Sequence, residues 1–318
     1  MEFGTFLGNE GLKQRLASVL SNGKLHHSYL LCGPSGSGRH TLAKLLCAAM
    51  QCTAEQKPCL RCAQCRKVLH GTHPDIITVD DPERKTLPVK LIRSTCADLY
   101  TRPNEGLRKI YLIPRAQDLN PQGQNALLKC MEEPPAYGVF LLLTDNAERL
   151  LPTVRSRCVE LRLQPLAEAQ LLSALRERFP GTAESVLRSA ALRSGGYLGQ
   201  AETLLRENST ELFPQSLGFL EAYRARDAAA LLGVLAPMEK LKREALRPVL
   251  SQWHDLLASA LTARAGLPLL RPECAQIAAA RSAADILSGI DALKTALRQL
   301  DANVGPAHIC GALSILLR

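Results

Sequence analysis

Aromatic residues are scarce in this 318-residue chain: they make up 4% of it, with a single tryptophan. The scarcity argues against rows of exposed rings on which single-stranded nucleic acids stack. Together with abundant leucine and alanine, it favours helical packing over an all-β fold. Long apolar runs are missing too. None approaches the roughly 18 residues that a membrane-spanning helix needs, so we expect no membrane partner.

The N-terminal segment lacks the basic stretch and apolar core that mark a secretory signal. We therefore expect a cytoplasmic protein, in which thiols stay reduced. The eleven cysteines of the chain then need an explanation other than disulfides.

The net charge of +9 is a moderate excess of basic residues. It permits contact with nucleic acid or with acidic protein surfaces, and it fits simple solubility equally well. A basic cluster at Lys240, Lys242, Arg243 and Arg247 predicts either a solvated helix face or a nucleic-acid contact.

The length of the chain allows two or three domains.

A Gly-rich turn lies between an apolar segment and a helical run predicted over 41–50. Gly33 and Gly38 have the spacing of a phosphate-binding loop, Gly-x-x-x-x-Gly-Lys-Ser/Thr, whose backbone N–H groups and following helix cradle phosphates. The lysine position holds Arg39 and the hydroxyl position holds His40, while Thr41 comes one residue late. Arginine does not replace a compact ammonium, and imidazole is a poor Mg²⁺ ligand. The loop therefore lacks the groups that perform nucleotide chemistry.

Short apolar segments alternate with helical patterns in the first half of the chain, which predicts a doubly wound α/β domain with a parallel sheet over residues 1–165. The predicted strands are 29–32, 75–79, 109–113, 139–144 and 158–163. A nucleotide hydrolase places an acidic pair after the third of these strands, for Mg²⁺ and the attacking water. Pro114 and Arg115 stand there instead, and Asp118 lies further along.

Four cysteines within residues 52–65 have metal-ligand spacing: Cys52, Cys59, Cys62 and Cys65. Two overlapping Cys-x-x-Cys pairs and a fourth cysteine predict a tetrahedral four-thiolate zinc site rather than a redox pair. Four protein ligands leave no open position, so the site is expected to be structural.

Strand patterns end near residue 165. Two helical stretches separated by Ser194, Gly195 and Gly196 predict a small helical domain over 166–207. The remainder, 208–318, is predicted to be helical throughout.

The ordered set of motifs resembles bacterial clamp-loader proteins of the AAA+ class. It comprises the Gly-rich turn, the cysteine insert, the stretch Asn-Ala-Leu-Leu-Lys-Cys-Met-Glu-Glu-Pro-Pro from Asn125, and Leu-Pro-Thr-Val-Arg-Ser-Arg-Cys from Leu151. The resemblance implies a RecA-like P-loop NTPase fold with a zinc-knuckle insert. It also implies a helical lid domain and an all-α C-terminal collar domain that serves oligomerisation.

Two kinds of subunit share these features in that family. The motor subunits, gamma and tau, have an intact phosphate loop and the acidic pair, and delta-prime subunits often lack both. Arg39, His40 and Arg115 favour the delta-prime kind, as does Gly199, near which motor subunits carry a lid arginine. We therefore do not expect this chain to bind or hydrolyse ATP. A divergent motor subunit with ATPase activity is the alternative.

The resemblance also implies that Arg157, between Ser156 and Cys158, is an arginine finger that reaches the nucleotide of a neighbouring subunit. Arg155 is the second candidate. The implied partners are gamma/tau motor subunits and a delta subunit in a hetero-pentamer, the sliding clamp, and primed DNA in the assembled complex. A zinc-dependent nucleic-acid-binding protein acting alone is a further alternative, and it predicts salt-sensitive DNA binding.

Overall fold

The computed structural model describes residues 3, 6–209, 212–266, 271 and 273–317. It divides into two units. Unit 1 comprises Met1–Ala174 and Gly195–Ala201, and unit 2 comprises Leu175–Ser194 and Glu202–Arg318. The predicted three-domain division, at 165/166 and 207/208, stays a prediction.

Unit 1 is built on a five-stranded parallel sheet with the spatial order β2-β3-β4-β1-β5. The strands are β1 (Ser28–Cys32), β2 (Ile76–Thr78), β3 (Lys109–Ile113), β4 (Gly138–Thr144) and β5 (Val159–Arg162). All five strand predictions are confirmed. Parallel strands joined by helical crossovers place helices on both faces of a sheet, which is why β1 and β4 consist almost wholly of apolar residues.

The helices of unit 1 connect these strands, and their bounds are α1 (Glu10–Ser21), α2 (Arg39–Gln51), α3 (Ala63–His70), α4 (Val89–Asp98), α5 (Pro121–Glu132) and α6 (Pro152–Arg155). Helix α5 begins with the Asn120 side chain accepting from the Gly123 N–H at 2.8 Å and with Pro121 in the first turn, both favourable at a helix N-terminus. Helix α2 starts two residues before the predicted 41–50 run.

Two apolar clusters cover the two faces of the sheet. Because side chains alternate along a strand, Leu141 and Leu143 of β4 pack with α2 on one face. Phe140 and Leu142 pack on the other, with the Tyr111 ring stacked on Phe140 at 5.4 Å between centroids. The central strands are thereby buried on both sides, and the strand ends remain available for functional residues.

The helices that follow are α7 (Glu168–Arg178), α8 (Glu184–Arg193), α9 (Leu198–Ser209), α10 (Pro214–Ala225), α11 (Ala228–Met238), α12 (Arg243–Arg264), α13 (Cys274–Ala280), α14 (Ala283–Asp301) and α15 (Pro306–Leu316). Three helices, not two, occupy 166–209. The predicted first stretch is interrupted by Pro180 and by Gly181, whose φ of +88° favours glycine. The core of unit 2 includes Trp253, stacked on Phe219 at 4.2 Å.

Candidate functional site

The Gly-rich turn has the backbone shape of a phosphate-binding loop. It leaves β1 at the carboxyl edge of the sheet, where the Gly33 N–H donates to the Thr144 carbonyl at 3.2 Å. Gly36 and Gly38 have φ of +75° and +90°, and Gly38 caps the N-terminus of α2. Positive φ angles at glycine and a helix that begins directly after the turn are features that a phosphate-binding loop shares.

The side chains at the head of α2 differ from those of a nucleotide site. His40 and Thr41 are exposed, and Arg39 is half-buried with its Nη1 atom buried and without a hydrogen-bond partner. Burial lowers the pKa of Arg39, opposed by the nearby carboxylate of Asp145. Burial also lowers the pKa of His40, with the Arg39 charge as the second cause. The imidazole is thus favoured in its neutral form.

Arg115 stands after β3, where an acidic residue is expected in a nucleotide hydrolase, and acceptors surround its guanidinium group. Its Nη2 donates to Asp80 Oδ1 at 2.6 Å and to the Asp81 carbonyl at 2.8 Å. Nη1 donates to the Arg84 carbonyl at 3.2 Å and lies 3.5 Å from Asp118 Oδ2. The hydrogen bond to Asp80 is the largest cause that raises the pKa of Arg115. At this edge the carboxylates of Asp80 and Asp118 are neutralised by arginine.

Gly199, at the start of α9, lies against the Gly-rich turn. Its N–H donates to the Gly36 carbonyl at 3.0 Å. A Cβ atom on Gly199 would come within 2.9 Å of the Gly36 Cα, and one on Gly36 would come within 2.3 Å of the Gln200 nitrogen. The position near which motor subunits carry a lid arginine therefore has no room for a side chain.

The four predicted cysteine ligands lie together. Their Sγ atoms are all within 4.8 Å of one another, compared with about 3.8 Å between sulfurs in a tetrahedral site with 2.3 Å zinc–sulfur bonds. Cys52 follows the end of α2, Cys62 caps α3, and Cys65 lies in the first turn of α3. The donor set fits a structural zinc ion, which would fasten the insert to the two helices.

Backbone N–H groups point at the sulfurs of this cluster. The N–H groups of Cys59, Cys62 and Cys65 donate to the Sγ atoms of Cys52, Cys59 and Cys62 at 3.4, 3.3 and 3.4 Å. Although burial opposes it, such bonds lower the pKa of Cys62 to about 6. At Cys59 and Cys62 these donors favour the thiolate form, which is the form that binds metal, whereas burial raises the pKa of Cys52 and of Cys65.

Arg157 lies at the opposite, amino edge of the sheet. It precedes β5, whose Val159 pairs with Tyr29 of β1. Its Nη1 donates to the Thr153 carbonyl at 2.9 Å, and its Nη2 donates to Glu132 Oε1 at 2.5 Å. The neighbouring Ser156 hydroxyl donates to the same Thr153 carbonyl at 3.1 Å.

A cleft of about 550 Å³ opens beside this guanidinium group, and it is also lined by His26, Ser28, Glu132 and Ser156. Arg155 has another environment: its Nη1 lies 3.0 Å from Glu148 Oε1, and its charge lies near Cys32 and Glu160. Burial raises the pKa of Cys158 to about 12, so this thiol is a packing group. The structure thus separates the two candidate finger arginines.

The basic cluster in unit 2 is partly paired. Arg243 donates to the Oδ1 and carbonyl oxygens of Asn303, both at 2.6 Å, and Arg247 pairs with Asp301. Two of its four cations thus bind the end of α14 and the residues after it.

None of the described helices combines the length and apolar character needed to cross a bilayer.

The parallel sheet, the phosphate-loop-like turn and the cysteine insert define a domain of the AAA+ class. A family model described as "DNA polymerase III, delta subunit" matches residues 8–167, half of the chain. The chain therefore belongs to the delta-prime and gamma/tau family of DNA polymerase III clamp-loader subunits.

Relatives of both kinds resemble the chain. It is 35% identical over 171 residues to subunit tau of Salmonella typhimurium, covering 53% of this chain and 26% of that protein. It is 32% identical over 229 residues to subunit delta-prime of Yersinia pestis, covering 64% of this chain and 67% of that one. The chain spans less than two thirds of the gamma and tau relatives it matches.

Among solved structures, the chain resembles a DNA polymerase III gamma subunit-related protein from Thermotoga maritima. The identity is 18%, the TM-score is 0.48, and the match covers 95% of this chain and 98% of that one.

Two partners of the predicted residues were not predicted from the sequence. Asp80 follows β2 and binds an arginine 35 positions away, and Glu132 binds Arg157 across 25 positions. Glu132 stands within the motif from Asn125, but only the fold brings it to Arg157. The roles predicted for Arg157 and for the Gly-rich turn stay predictions.

Proposed function

We propose that this chain is a delta-prime subunit of the bacterial DNA polymerase III clamp loader. In this role it hydrolyses no ATP, supplies Arg157 to the nucleotide site of a neighbouring gamma/tau subunit, and helps load the sliding clamp onto primed DNA. The proposed assembly is a hetero-pentamer with motor and delta subunits.

The observation that carries the proposal is Arg115 in place of a catalytic acid. Its guanidinium group binds Asp80 and lies beside Asp118, so these carboxylates are neutralised by a cation that can neither hold Mg²⁺ nor orient the attacking water. Arg39, His40 and the close contact at Gly199 support the same conclusion from three other positions. Together they argue against ATP binding by this chain as well as against hydrolysis.

The location of Arg157 supports action in trans. The phosphate-loop-like turn follows the carboxyl end of β1, and Arg157 lies at the amino edge. Five strand residues separate the two edges by about 16 Å, whereas a hydrogen bond to phosphate needs about 3 Å. This separation supports the proposal that Arg157 serves a nucleotide held by another subunit, where such an arginine stabilises charge on the transferring phosphoryl group.

An ATP-hydrolysing motor subunit is the second candidate. Identity to a tau relative, at 35%, is as high as identity to delta-prime relatives, at 34% and 32%. ATP turnover by the purified chain that disappears in Arg39→Ala would support this candidate and contradict the first.

Replacement of Arg157 by alanine tests the finger. We expect the loader reconstituted with motor and delta subunits to assemble normally, while the adjoining ATPase site slows by about 10³-fold or more. The measurements are gel filtration and DNA-stimulated ATP turnover. Arg155→Ala is the matched control and should retain turnover. Unchanged turnover in Arg157→Ala would refute the assignment.

The structural role proposed for the cysteine cluster is to hold the insert between α2 and α3 with one zinc ion. Its donor set is complete without water or substrate, so it supplies no catalytic chemistry.

A further inference from the structure

Glu132 is the last residue of α5, and it contacts the proposed finger. Its Oε1 accepts from Arg157 Nη2 at 2.5 Å, while the Thr153 carbonyl accepts from Nη1 at 2.9 Å. Both terminal nitrogens of the guanidinium group are thus engaged by the chain that carries it. The carboxylate also neutralises the positive charge that a finger offers to phosphate.

The ion pair between Arg157 and Glu132 orients the arginine side chain, and its exposure makes it easy to displace. The side chains of Arg157 and Glu132 are 35% and 46% exposed, and ion pairs at such exposure contribute little to stability. A terminal phosphate carries about −1.5 to −2 charge and binds arginine through two parallel hydrogen bonds. A nucleoside triphosphate whose γ-phosphate lies within reach would therefore outcompete Glu132. A diphosphate ends one phosphate short, so its terminal phosphate would not reach the guanidinium group.

We propose that Glu132 is a positioning residue that holds Arg157 against its own subunit until a triphosphate in the neighbouring site displaces it. The inference rests on the proposed function, because it assumes that Arg157 serves a neighbour. It adds a control element: the finger engages only when the terminal phosphate is present and within reach.

The chain offers a matched control in the next residue. Glu133 carries the same charge and is exposed at the C-terminal end of α5. Among the contacts of the described residues, it makes no ion pair with Arg157. A change at Glu133 therefore alters the local charge equally and leaves the guanidinium group in place.

The test uses the complete loader, reconstituted with motor and delta subunits and either Glu132→Gln or Glu133→Gln in this chain. We expect Glu132→Gln to raise ATP turnover without DNA by about two- to five-fold, the range set by an exposed ion pair. ATP is present in both assays, and the inference takes the state with DNA and clamp to be the one in which the neighbouring terminal phosphate is within reach. Turnover stimulated by DNA and clamp should therefore stay unchanged, since Arg157 is already released in that state. Glu133→Gln should match the unsubstituted loader in both conditions.

The double variant Glu132→Gln/Arg157→Ala distinguishes positioning from a general structural effect. It should behave as Arg157→Ala alone, because Glu132 acts only through the arginine. Equal rates for the two glutamine variants, a lower rate in Glu132→Gln, or an effect that persists without Arg157 would overturn the inference. If Arg157→Ala itself has no effect, the proposed function fails instead.

Discussion

Arg115 illustrates how one residue can hold a group of carboxylates together without a metal ion. An acid at this position would face Asp80 and Asp118, and a bound metal ion would have to neutralise the group. Arginine neutralises it within the chain, through hydrogen bonds to Asp80 and to the carbonyls of Asp81 and Arg84. The carboxyl ends of β2 and β3 are thereby tied together without a ligand.

Replacement of Arg115 by glutamine should therefore destabilise the fold. We expect a loss of about 1–2 kcal/mol in the free energy of unfolding, because charge-assisted hydrogen bonds are lost and carboxylates are left facing one another. Urea denaturation followed by circular dichroism measures the change. Arg149→Gln is the control: this side chain is 59% exposed and lies 4.0 Å from Asp118, so its loss should stay within about 0.5 kcal/mol. Equal effects would show that Arg115 is an ordinary surface residue.

At the scale of elements, the cysteine insert joins two helices at their ends. Cys52 follows the last turn of α2, and Cys62 accepts from the Cys65 N–H as the cap of α3. Helix α3 has only eight residues, too few to be stable in isolation. Its position therefore depends on packing and on the proposed metal.

We expect protein purified without chelator to contain one zinc ion per chain, and Cys59→Ser to lose it because a three-thiolate set binds zinc far more weakly. Cys96→Ser provides the matched control, since Cys96 lies outside the cluster and its thiol donates to the Ala126 carbonyl. Atomic emission spectrometry measures the metal. Zinc-free protein, or zinc retained in Cys59→Ser, would contradict the assignment.

The elements themselves were predictable, because the alternation of apolar segments with helical patterns and the cysteine spacing are local patterns. The five strands and the cysteine cluster follow from them. The contacts that give the site its character are not local. Arg115 meets Asp80, and Gly199 meets Gly36, only after the chain has folded. From the sequence, Arg115 shows only that the expected acid is missing. It gives no sign that its guanidinium group binds Asp80.

At the scale of the whole molecule, the two edges of one sheet carry different groups. At the carboxyl edge, the Gly-rich turn stands beside Arg115, which binds Asp80, and Gly199 donates to the Gly36 carbonyl. The amino edge keeps Arg157 beside a cleft, with Glu132 as its partner. Under the proposed function, the amino edge serves the neighbouring subunit and the carboxyl edge contributes only its shape.

This difference between the two edges predicts that replacing the motif side chains alone does not produce ATP hydrolysis. The chain carrying Arg39→Lys, His40→Ser, Pro114→Asp and Arg115→Glu together should show no ATP turnover above background, measured by phosphate release at saturating Mg-ATP. Two acids after β3 would join Asp80 and Asp118 without the cation that neutralises them. The contact between Gly199 and Gly36 would still exclude a lid arginine, since even a Cβ atom would lie within 2.9 Å of the Gly36 Cα.

An intact motor subunit is the positive control, and circular dichroism must show that the variant is folded. Turnover by the folded variant would mean that only the side chains of the motifs were lost, and that the surrounding contacts still permit catalysis.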